Sequence, residues 1–372
     1  MIIGILMEPD FENRVSALPE TVANLVKLNT EVLVEKGAGL RAFATDEAYV
    51  QQGARIAERQ EICSRADLLL SIHPVQATDT LRSGAVCIGV YQPLFHFQQM
   101  KEWATKGYTI FSMDTIPRTT RAQAMDVLSS QANIAGYKAV LLAATQYSRY
   151  FPMFMTAAGS IAPAKMLILG AGVAGLQAIA TARRLGAIVE VFDTRPAVKE
   201  EVMSLGAKFV EVEGAADASK AGGYAVEQSE EFQNRQKQRI AESAAKADII
   251  ITTAQIPGRK APILITKEMI ASMRAGSVII DLASATGGNT DLTRNNETVV
   301  ENMVTIIGNS NLASLQPSDA SKVYGKNILN FLKLIIGNEG QLNLNFDDDL
   351  VKGTCIVHQG SVTNERVVQL LA

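Results

Sequence analysis

The sequence predicts an α/β protein with two doubly wound domains that are separated by a cleft and joined by long helices. Short apolar runs alternate with segments of helical spacing in two stretches of the chain, a pattern typical of largely parallel sheets covered by helices. With 372 residues, 47% of them hydrophobic, the chain is long enough to bury two cores. We place the first domain at residues 1–135, completed by residues 320–372. A second, Rossmann-like domain is placed at residues 145–312, because a glycine-rich turn lies near its start.

Six apolar runs predict the strands of the first domain: Ile2–Met7, Glu31–Glu35, Ala54–Ala57, Leu68–Ile72, Val86–Tyr91 and Thr109–Met113. Helical spacing in Pro19–Lys27 and Thr45–Gly53 predicts helices between them. A long helix is predicted from about Ala122 to Tyr147, where Ala, Leu, Met and Gln are frequent. An amphipathic helix at Lys326–Ile336 precedes a tail that we expect to pack on the first domain.

A glycine-rich motif follows the first strand of the second domain. The run Met166–Leu169 predicts a strand buried on both faces, and it leads into Gly170-x-Gly172-x-x-Gly175 and then a helix. The first glycine permits the tight turn, the second lets the backbone approach a pyrophosphate, and the third lets the helix pack on the sheet. The free N–H groups at the helix start attract phosphates. This context predicts a dinucleotide site.

An acidic residue stands where the ribose of such a nucleotide lies. The next strand, Ile188–Phe192, ends at Asp193, whose carboxylate accepts hydrogen bonds from ribose hydroxyls and repels a 2′-phosphate. We therefore predict that the site binds NAD(H) in preference to NADP(H). The alternative is that Arg195 binds the 2′-phosphate of NADP(H). Further strands are predicted at Lys208–Val212, Asp248–Thr253, Ser277–Leu282 and Thr305–Gly308.

A second polar stretch precedes the glycine motif. On a continuous helix, Gln123, Asp126 and Ser130 fall at i, i+3 and i+7 and share one face, with Ser129 at its edge. Arg118 lies in the loop before this helix. Two interpretations are open: the solvated first turn of a helix, or a polar clamp for a nicotinamide carboxamide, since Gln and Ser supply both donors and acceptors.

A long polar segment, residues 216–239, interrupts the second domain. It contains Gly222-Gly223-Tyr224, and a glycine pair beside an aromatic residue is typical of a binding loop. A solvated surface loop that runs into a charged helix is the alternative interpretation.

Composition excludes several classes of function. The formal net charge is −3 and there is no basic block, so we expect no nucleic-acid partner. The three cysteines and three histidines are not at metal-ligand or redox spacing, so no metal site is predicted. The chain start lacks the features of a signal peptide, and no apolar stretch reaches the roughly 18 residues of a membrane helix. We therefore expect no direct insertion into a membrane.

In these motifs the chain resembles the soluble NAD(H)-binding component, called domain I or the alpha-1 subunit, of proton-translocating NAD(P) transhydrogenases. The resemblance runs nearly from end to end. The matching motifs are Pro117-Arg118, Arg121–Gln131, Asn133–Tyr137, Met155–Gly159, Gly170–Ala182, Ala221–Ala225, Thr252–Gly258, Gly276–Ala283, Gly287–Asn289 and Lys326–Phe331.

This resemblance implies a reaction and a set of partners. In the family, hydride passes directly between NAD(H) on this component and NADP(H) on a separate component, while a membrane-spanning component passes protons. It also implies a homodimer that is cytoplasmic and peripheral on the inner face of the bacterial cell membrane through its partners. Direct transfer needs two nicotinamide rings held about 3–3.5 Å apart and no protein acid or base.

The resemblance also assigns residues to the site. In the family, the residues that match Arg118, Gln123, Asp126 and Ser129 position the nicotinamide, so we expect the same role here. The cofactor-binding candidates are Gly170, Gly172, Val173, Gly175, Asp193, Thr194, Arg195, Gly223, Tyr224 and Gln255, of which Gly223 and Tyr224 match a mobile loop that closes over the nucleotide.

Alanine dehydrogenase, a more distant relative with the same architecture, is the alternative. It uses a lysine and a histidine after two first-domain strands, where this chain has Ser71-Ile72-His73-Pro74 and Tyr91-Gln92-Pro93. Its opening Lys-Glu pair is Met7-Glu8 here, so what the first-domain cleft binds stays open. A non-catalytic NAD-binding protein is a third possibility, which the intact cluster at Arg118, Gln123 and Asp126 argues against.

Overall fold

The computed structural model describes residues 1–76, 79–212 and 229–371. The chain divides into two compact units: unit 1 comprises Met1–Gln131 and Ser314–Ala372, and unit 2 comprises Ala132–Ala313. Each unit has a sheet dominated by parallel strands. The predicted α/β class is therefore confirmed.

Eight strands form the sheet of unit 1. Numbered along the chain, they are β1 (Ile2–Ile5), β2 (Glu31–Glu35), β3 (Arg55–Ala57), β4 (Leu68–Leu70), β5 (Val86–Gly89), β6 (Thr109–Ser112), β16 (Cys355–His358) and β17 (Ser361–Val362). Their order in the sheet is β17-β16-β6-β5-β4-β1-β2-β3. Strands β1 to β6 are parallel, whereas β16 runs antiparallel to β6 and β17 antiparallel to β16.

Helices accompany this sheet along the chain. They are α1 (Pro19–Val26), α2 (Asp46–Gln51), α3 (Arg59–Arg65), α4 (Phe97–Thr105), α10 (Pro317–Ile335), α11 (Asp349–Thr354) and α12 (Glu365–Leu371). A 3₁₀ helix at Thr120–Met125 precedes α5 (Val127–Gln146), which begins in unit 1 and ends in unit 2.

Seven strands form the sheet of unit 2. They are β9 (Lys165–Leu169), β10 (Ile188–Phe192), β11 (Lys208–Phe209), β12 (Ile249–Thr252), β13 (Val278–Asp281), β14 (Glu297–Glu301) and β15 (Val304–Gly308). Their order is β11-β10-β9-β12-β13-β15-β14, in which only β14 pairs antiparallel among the described strands. A separate hairpin is formed by β7 (Phe154–Thr156) and β8 (Gly159–Ile161). The helices are α6 (Val173–Arg184), α7 (Lys199–Ser204), α8 (Glu230–Ala244) and α9 (Lys267–Ser272).

Both sheets have the strand order of a Rossmann fold. In unit 1 the order reverses between β1 and β4, and in unit 2 it reverses between β9 and β12. Ligands of open α/β sheets bind beyond the carboxyl ends of the strands at such a reversal. The residues that follow β9 and β12, and those that follow β1 and β4, therefore occupy candidate ligand-binding positions.

Two predicted helices differ from the structure. The helix predicted from about Ala122 to Tyr147 is interrupted at Asp126, whose extended backbone separates the 3₁₀ helix from α5. The helix predicted at Lys326–Ile336 begins nine residues earlier, at Pro317. Its first half buries Ser321 and Gly325, which an apolar pattern does not detect. The antiparallel strands β14, β16 and β17 and the β7-β8 hairpin were not predicted either.

Helix α5 approaches α6 closely at a glycine. A Cβ built on Gly136 would lie 2.1 Å from the carbonyl oxygen of Ala174, which is backbone and cannot move aside as a side chain can. The absence of a side chain at this position therefore fixes how near the two helices come.

We predict that Gly136→Ala lowers the free energy of unfolding by about 1–3 kcal/mol because of this overlap. Helix propensity alone would give the opposite sign, a gain of about 1 kcal/mol. Thr145→Ala, at an exposed position of the same helix, is the control that reports propensity without the overlap. Urea unfolding of both variants measures their free energies of unfolding. A Gly136→Ala protein that is more stable than the wild type would contradict the close approach of α5 and α6.

Candidate functional site

The glycine-rich loop after β9 is shaped by three glycines. Gly170 has a left-handed backbone (φ +107°), and a Cβ there would lie 2.3 Å from the hydroxyl oxygen of Thr253. A Cβ on Gly175 would lie 1.9 Å from the carbonyl oxygen of Gly170. At Gly172, by contrast, a Cβ would meet nothing within 4 Å. The loop is therefore packed tightly against the sheet but open at the one glycine that would face a pyrophosphate.

The first turn of α6 is available to a ligand. Gly172 is the N-cap, and Val173 is the first helical residue and is partly exposed. No side chain of the described residues caps this helix start. The backbone N–H groups of an uncapped first turn, together with the helix dipole, fit the negative charge of a dinucleotide pyrophosphate.

Asp193, at the end of β10, is held in an ion pair with Arg195. Its Oδ1 accepts from the backbone N–H (2.8 Å) and Nε (3.0 Å) of Arg195, and its Oδ2 accepts from Nη2 of Arg195 (2.9 Å). Oδ2 also accepts from the backbone N–H of Ala171 in the glycine loop (2.7 Å). These hydrogen bonds to Asp193 raise the pKa of Arg195 further. The carboxylate is only 6% exposed, and Thr194 lies half-buried between the two charged residues.

Because of this ion pair, Asp193 has hydrogen-bond partners within the protein at the oxygens that we predicted would bind a ribose. A carboxylate offers about four acceptor positions, and all four are used within the protein. A ribose hydroxyl would have to share Asp193 with Arg195 or displace one of its bonds. The Asp-x-Arg spacing was visible in the sequence, but the bidentate pair was not.

The loop after β12 borders the glycine loop. The hydroxyl of Thr253 donates to the carbonyl oxygens of Leu169 (3.3 Å) and Gly170 (3.2 Å). Gln255 is exposed, and its Nε2 donates to the carbonyl of Leu282 (3.0 Å). The predicted residues from Gly170 to Arg195 therefore lie together at the reversal of strand order, with the Gln255 loop beside them.

Asn289 fixes this second loop and was not predicted as a site residue. Its fully buried side chain donates to the carbonyls of Ala254 (2.9 Å) and Pro262 (2.8 Å) and accepts from the N–H of Ala254 (3.1 Å). The Gly287-Gly288-Asn289 sequence after a buried strand was the available signal.

In unit 1, the polar stretch around Gln123 is not a helical face. Asp126 is the residue before α5, where its Oδ1 accepts from the backbone N–H of Ser129 (2.9 Å) and its Oδ2 from the Ser129 hydroxyl (2.6 Å). The predicted i, i+3, i+7 alignment is wrong, because Gln123 lies in the 3₁₀ helix before the break and Ser130 donates to Asn327. Gln123 and Arg118 are exposed.

The predicted site residues thus fall into two described groups. The nicotinamide candidates Arg118, Gln123, Asp126 and Ser129 are close in sequence within unit 1, and the pyrophosphate and ribose candidates are in unit 2. Gly223 and Tyr224 lie outside the described residues.

A buried charged cluster lies at the reversal point of the unit 1 sheet. Arg14 makes a bidentate pair with Glu12 (2.7 and 2.8 Å), and Nε2 of His73 lies 2.9 Å from the same carboxylate. Burial opposes ionisation of Glu12, but the hydrogen bonds from Arg14 and His73 outweigh it and lower its pKa. Glu8 accepts from the N–H groups of Ile72 (2.5 Å) and His73 (3.0 Å), while burial raises its pKa to about 7.

This cluster lacks the groups that imine chemistry requires. Two segments correspond to those that carry the lysine and the histidine of alanine dehydrogenase. In the first, His73 is bound to Glu12. In the second, the buried hydroxyl of Tyr91 lies 3.1 Å from the hydroxyl of Ser71. Neither provides the lysine and histidine pair of a dehydrogenase site.

The described ranges show neither a metal-binding cluster nor a membrane-spanning helix. Residues 1–76, 79–212 and 229–371 contain no group of three or more His, Cys, Asp or Glu side chains placed to hold a metal ion. Within the same ranges, no helix has both the length and the apolar character needed to cross a membrane.

Comparison with known proteins agrees with the geometry. Residues 4–135 match the family described as alanine dehydrogenase/PNT, N-terminal domain, and residues 139–365 match alanine dehydrogenase/PNT, C-terminal domain. The chain is 45% identical over 370 residues to the first part of the NAD(P) transhydrogenase alpha subunit of Rickettsia prowazekii, covering 98% of this chain and 96% of that protein. It is 29% identical over 299 residues to the alanine dehydrogenase of Methanococcus maripaludis, covering 78% and 74%.

A solved structure gives the same result. The crystal structure of transhydrogenase from Sinorhizobium meliloti matches with a TM-score of 0.89 and 45% identity, covering 97% of this chain and 100% of that one. The resemblance read from the sequence motifs is confirmed. The chain belongs to the alanine dehydrogenase/PNT family, and it is more similar to these transhydrogenase proteins than to the alanine dehydrogenase.

Proposed function

We propose that this chain is the NAD(H)-binding component of a proton-translocating NAD(P) transhydrogenase. The observation that carries the proposal is its similarity, over 98% of its length, to a protein named as the first portion of such an alpha subunit. The open position at Gly172 and the uncapped start of α6 supply the physical support, since they leave room and N–H donors for a pyrophosphate. A bound NAD(H) supplies the hydride carried at C4 of its nicotinamide ring.

The residues of unit 1 have distinct roles in this proposal. Gln123, exposed in the 3₁₀ helix, offers an amide that both donates to and accepts from a carboxamide. Asp126 and Ser129 bond to each other, so they fix the start of α5 and position the segment that carries Gln123. Arg118 precedes that segment and presents a guanidinium beside the same ligand. None of these groups needs to move a proton.

The proposed reaction requires further components. NADP(H) is bound by a separate component, a membrane-spanning component carries the protons, and this chain is held at the inner face of the bacterial cell membrane through them. Support comes from the relative's name, which describes a subunit and therefore an assembly.

We further propose that two copies of this chain associate through the β7-β8 hairpin. All six strand residues of the hairpin are exposed, and the hairpin belongs to neither large sheet. An isolated two-stranded hairpin is marginal in water. Met153 (62%) and Met155 (72%) expose apolar surface there, beside the stacked rings of Tyr150 and Phe154 (5.0 Å between centroids). A second copy of the chain presents the same apolar surface, and a twofold dimer joins identical surfaces of its two subunits.

The experiment that tests the function combines nucleotide binding with turnover. We expect calorimetry to give tighter binding of NADH than of NADPH, and hydride transfer from NADH to an NADP⁺ analogue once the NADP(H)-binding component is added. L-Alanine with NAD⁺ should yield no NADH. Alanine-dependent NADH formation would replace the proposal with a dehydrogenase, and nucleotide binding without transfer to any partner would favour a non-catalytic NAD-binding protein.

We predict that Asp193→Asn weakens NADH binding about ten-fold, equivalent to about 1.4 kcal/mol, and strengthens NADPH binding. The substitution removes the negative charge that opposes a 2′-phosphate and releases the guanidinium of Arg195 to receive one. The double variant Asp193→Asn/Arg195→Ala is the matched control and should lose the gain in NADPH affinity. If the ratio of NADH to NADPH affinity is unchanged in Asp193→Asn, the Asp193–Arg195 pair does not distinguish the ribose hydroxyl from the 2′-phosphate.

For the dimer, we predict that Met155→Asp shifts the protein from dimer to monomer in sedimentation analysis, since it places a charge in the apolar contact. Met203→Asp, at another exposed methionine, on α7, is the control and should leave the dimer intact. A dimeric Met155→Asp protein, or a monomeric wild type, would be contrary to the proposed interface.

A further inference from the structure

Two asparagines of the Lys326–Phe331 motif are not among the proposed nucleotide-binding residues. Asn327 and Asn330 are three residues apart on α10 and so lie on the same side of the helix. Their Nδ2 atoms both donate to one backbone carbonyl, that of Ala124, at 2.9 and 3.1 Å. Ala124 is the residue directly after Gln123.

Asn327 also reaches across the break in the chain at Asp126. Its Oδ1 accepts a hydrogen bond from the hydroxyl of Ser130 (2.7 Å), in the first turn of α5. One amide side chain therefore binds both the 3₁₀ helix that precedes the break and the α-helix that follows it. Asn327 is only 8% exposed, and a hydrogen bond is stronger in such a poorly solvated position than in water.

A second anchor holds the segment on the other side of Gln123. Arg121 forms a bidentate pair with Asp348 (2.8 and 2.6 Å), and Asp348 also caps α11 by accepting from the N–H of Leu350 (2.9 Å). Hydrogen bonds to Arg121 lower the pKa of Asp348, so the pair is charged on both sides at neutral pH. Gln123 thus lies between two residues that are each tied to the C-terminal part of unit 1.

These hydrogen bonds are needed because a 3₁₀ helix of six residues has little stability of its own. Its hydrogen-bond geometry is poorer than that of an α-helix, and such runs are short for that reason. Ala122 and Met125 bury one side of this helix in the core, and the bonds to Ala124 and Arg121 add restraint next to the exposed Gln123. A side chain that must place a ring to within a fraction of an ångström needs a fixed backbone.

We propose that Asn327 is a positioning residue for hydride transfer: it fixes the backbone of Gln123 through the Ala124 carbonyl, with Asn330 in a supporting role. The inference rests on the proposed function, because it assumes that Gln123 places the nicotinamide. It assigns the Lys326–Phe331 motif a role in the rate of transfer and none in nucleotide affinity.

The test is a double-mutant cycle with Asn327→Ala and Gln123→Ala in the full chain with its NADP(H)-binding component. Asn327→Ala should fold, since the Ser130 hydroxyl retains the Val127 carbonyl as acceptor (3.1 Å) and the Ala124 carbonyl retains Asn330. We expect it to slow hydride transfer about 10- to 100-fold with little change in NADH affinity, because a misplacement of about an ångström costs that much. In the Gln123→Ala background the same change should have almost no further effect.

A matched control separates positioning from general destabilisation. Ser321→Ala removes another buried side-chain bond of α10, in which the hydroxyl oxygen accepts from the N–H of Val15 (2.9 Å). This variant should transfer hydride at the wild-type rate. Asn330→Ala, which leaves the Asn327 bonds in place, should give a smaller loss of the same kind.

The outcomes distinguish the two proposals. A wild-type protein that transfers no hydride to any partner overturns the proposed function and the positioning role with it. Wild-type transfer combined with independent, multiplicative effects of Asn327→Ala and Gln123→Ala overturns the positioning role alone. A loss in Ser321→Ala equal to that in Asn327→Ala does the same, and so does a loss of NADH affinity without a change in rate.

Discussion

The candidate site of unit 2 depends on the close approach of two backbone segments at the end of β9. Gly175 lies against the carbonyl of Gly170 at a distance that no side chain permits, and this contact brings the start of α6 up to the edge of the sheet. A Cβ on Gly172 would meet no neighbour, so there is room for a ligand at the start of α6, where strand order reverses. Asp193 strengthens the arrangement, since it bonds to the loop at Ala171 and to Arg195 at once.

The sequence predicted those parts of the fold in which one residue type is required. Strands such as β12 are buried on both faces and are therefore continuous apolar runs, and all six predicted strands of unit 1 are present. The glycine motif was predictable because a side chain at Gly170 or Gly175 would overlap a neighbouring atom, whereas the position at Gly172 is left open for a ligand. The ends of the strands were less accurate: β1 stops at Ile5, whereas the apolar run continues to Met7.

Other features could not be predicted, because they depend on partners that are distant in sequence. Asp126 ends one helical segment and starts another by bonding to Ser129, whereas composition alone favours a continuous helix. The early start of α10 reflects packing on α1, where a Cβ on Gly325 would lie 2.6 Å from the Thr21 hydroxyl. Asn289 and Asn327 owe their importance to carbonyls that lie 35 and 203 residues away.

The polar groups of both units share one property: most of them are bonded to another protein group rather than poised to exchange protons. Asp193 bonds to Arg195, Asp126 to Ser129 and Asn327 to Ala124, and each bond fixes backbone beside a proposed ligand-binding position. A dehydrogenase that forms an imine needs a group that gives up and regains a proton. Direct transfer between two nicotinamide rings needs only that the rings be held in place. A network of hydrogen bonds that fixes positions is therefore what the proposed reaction requires.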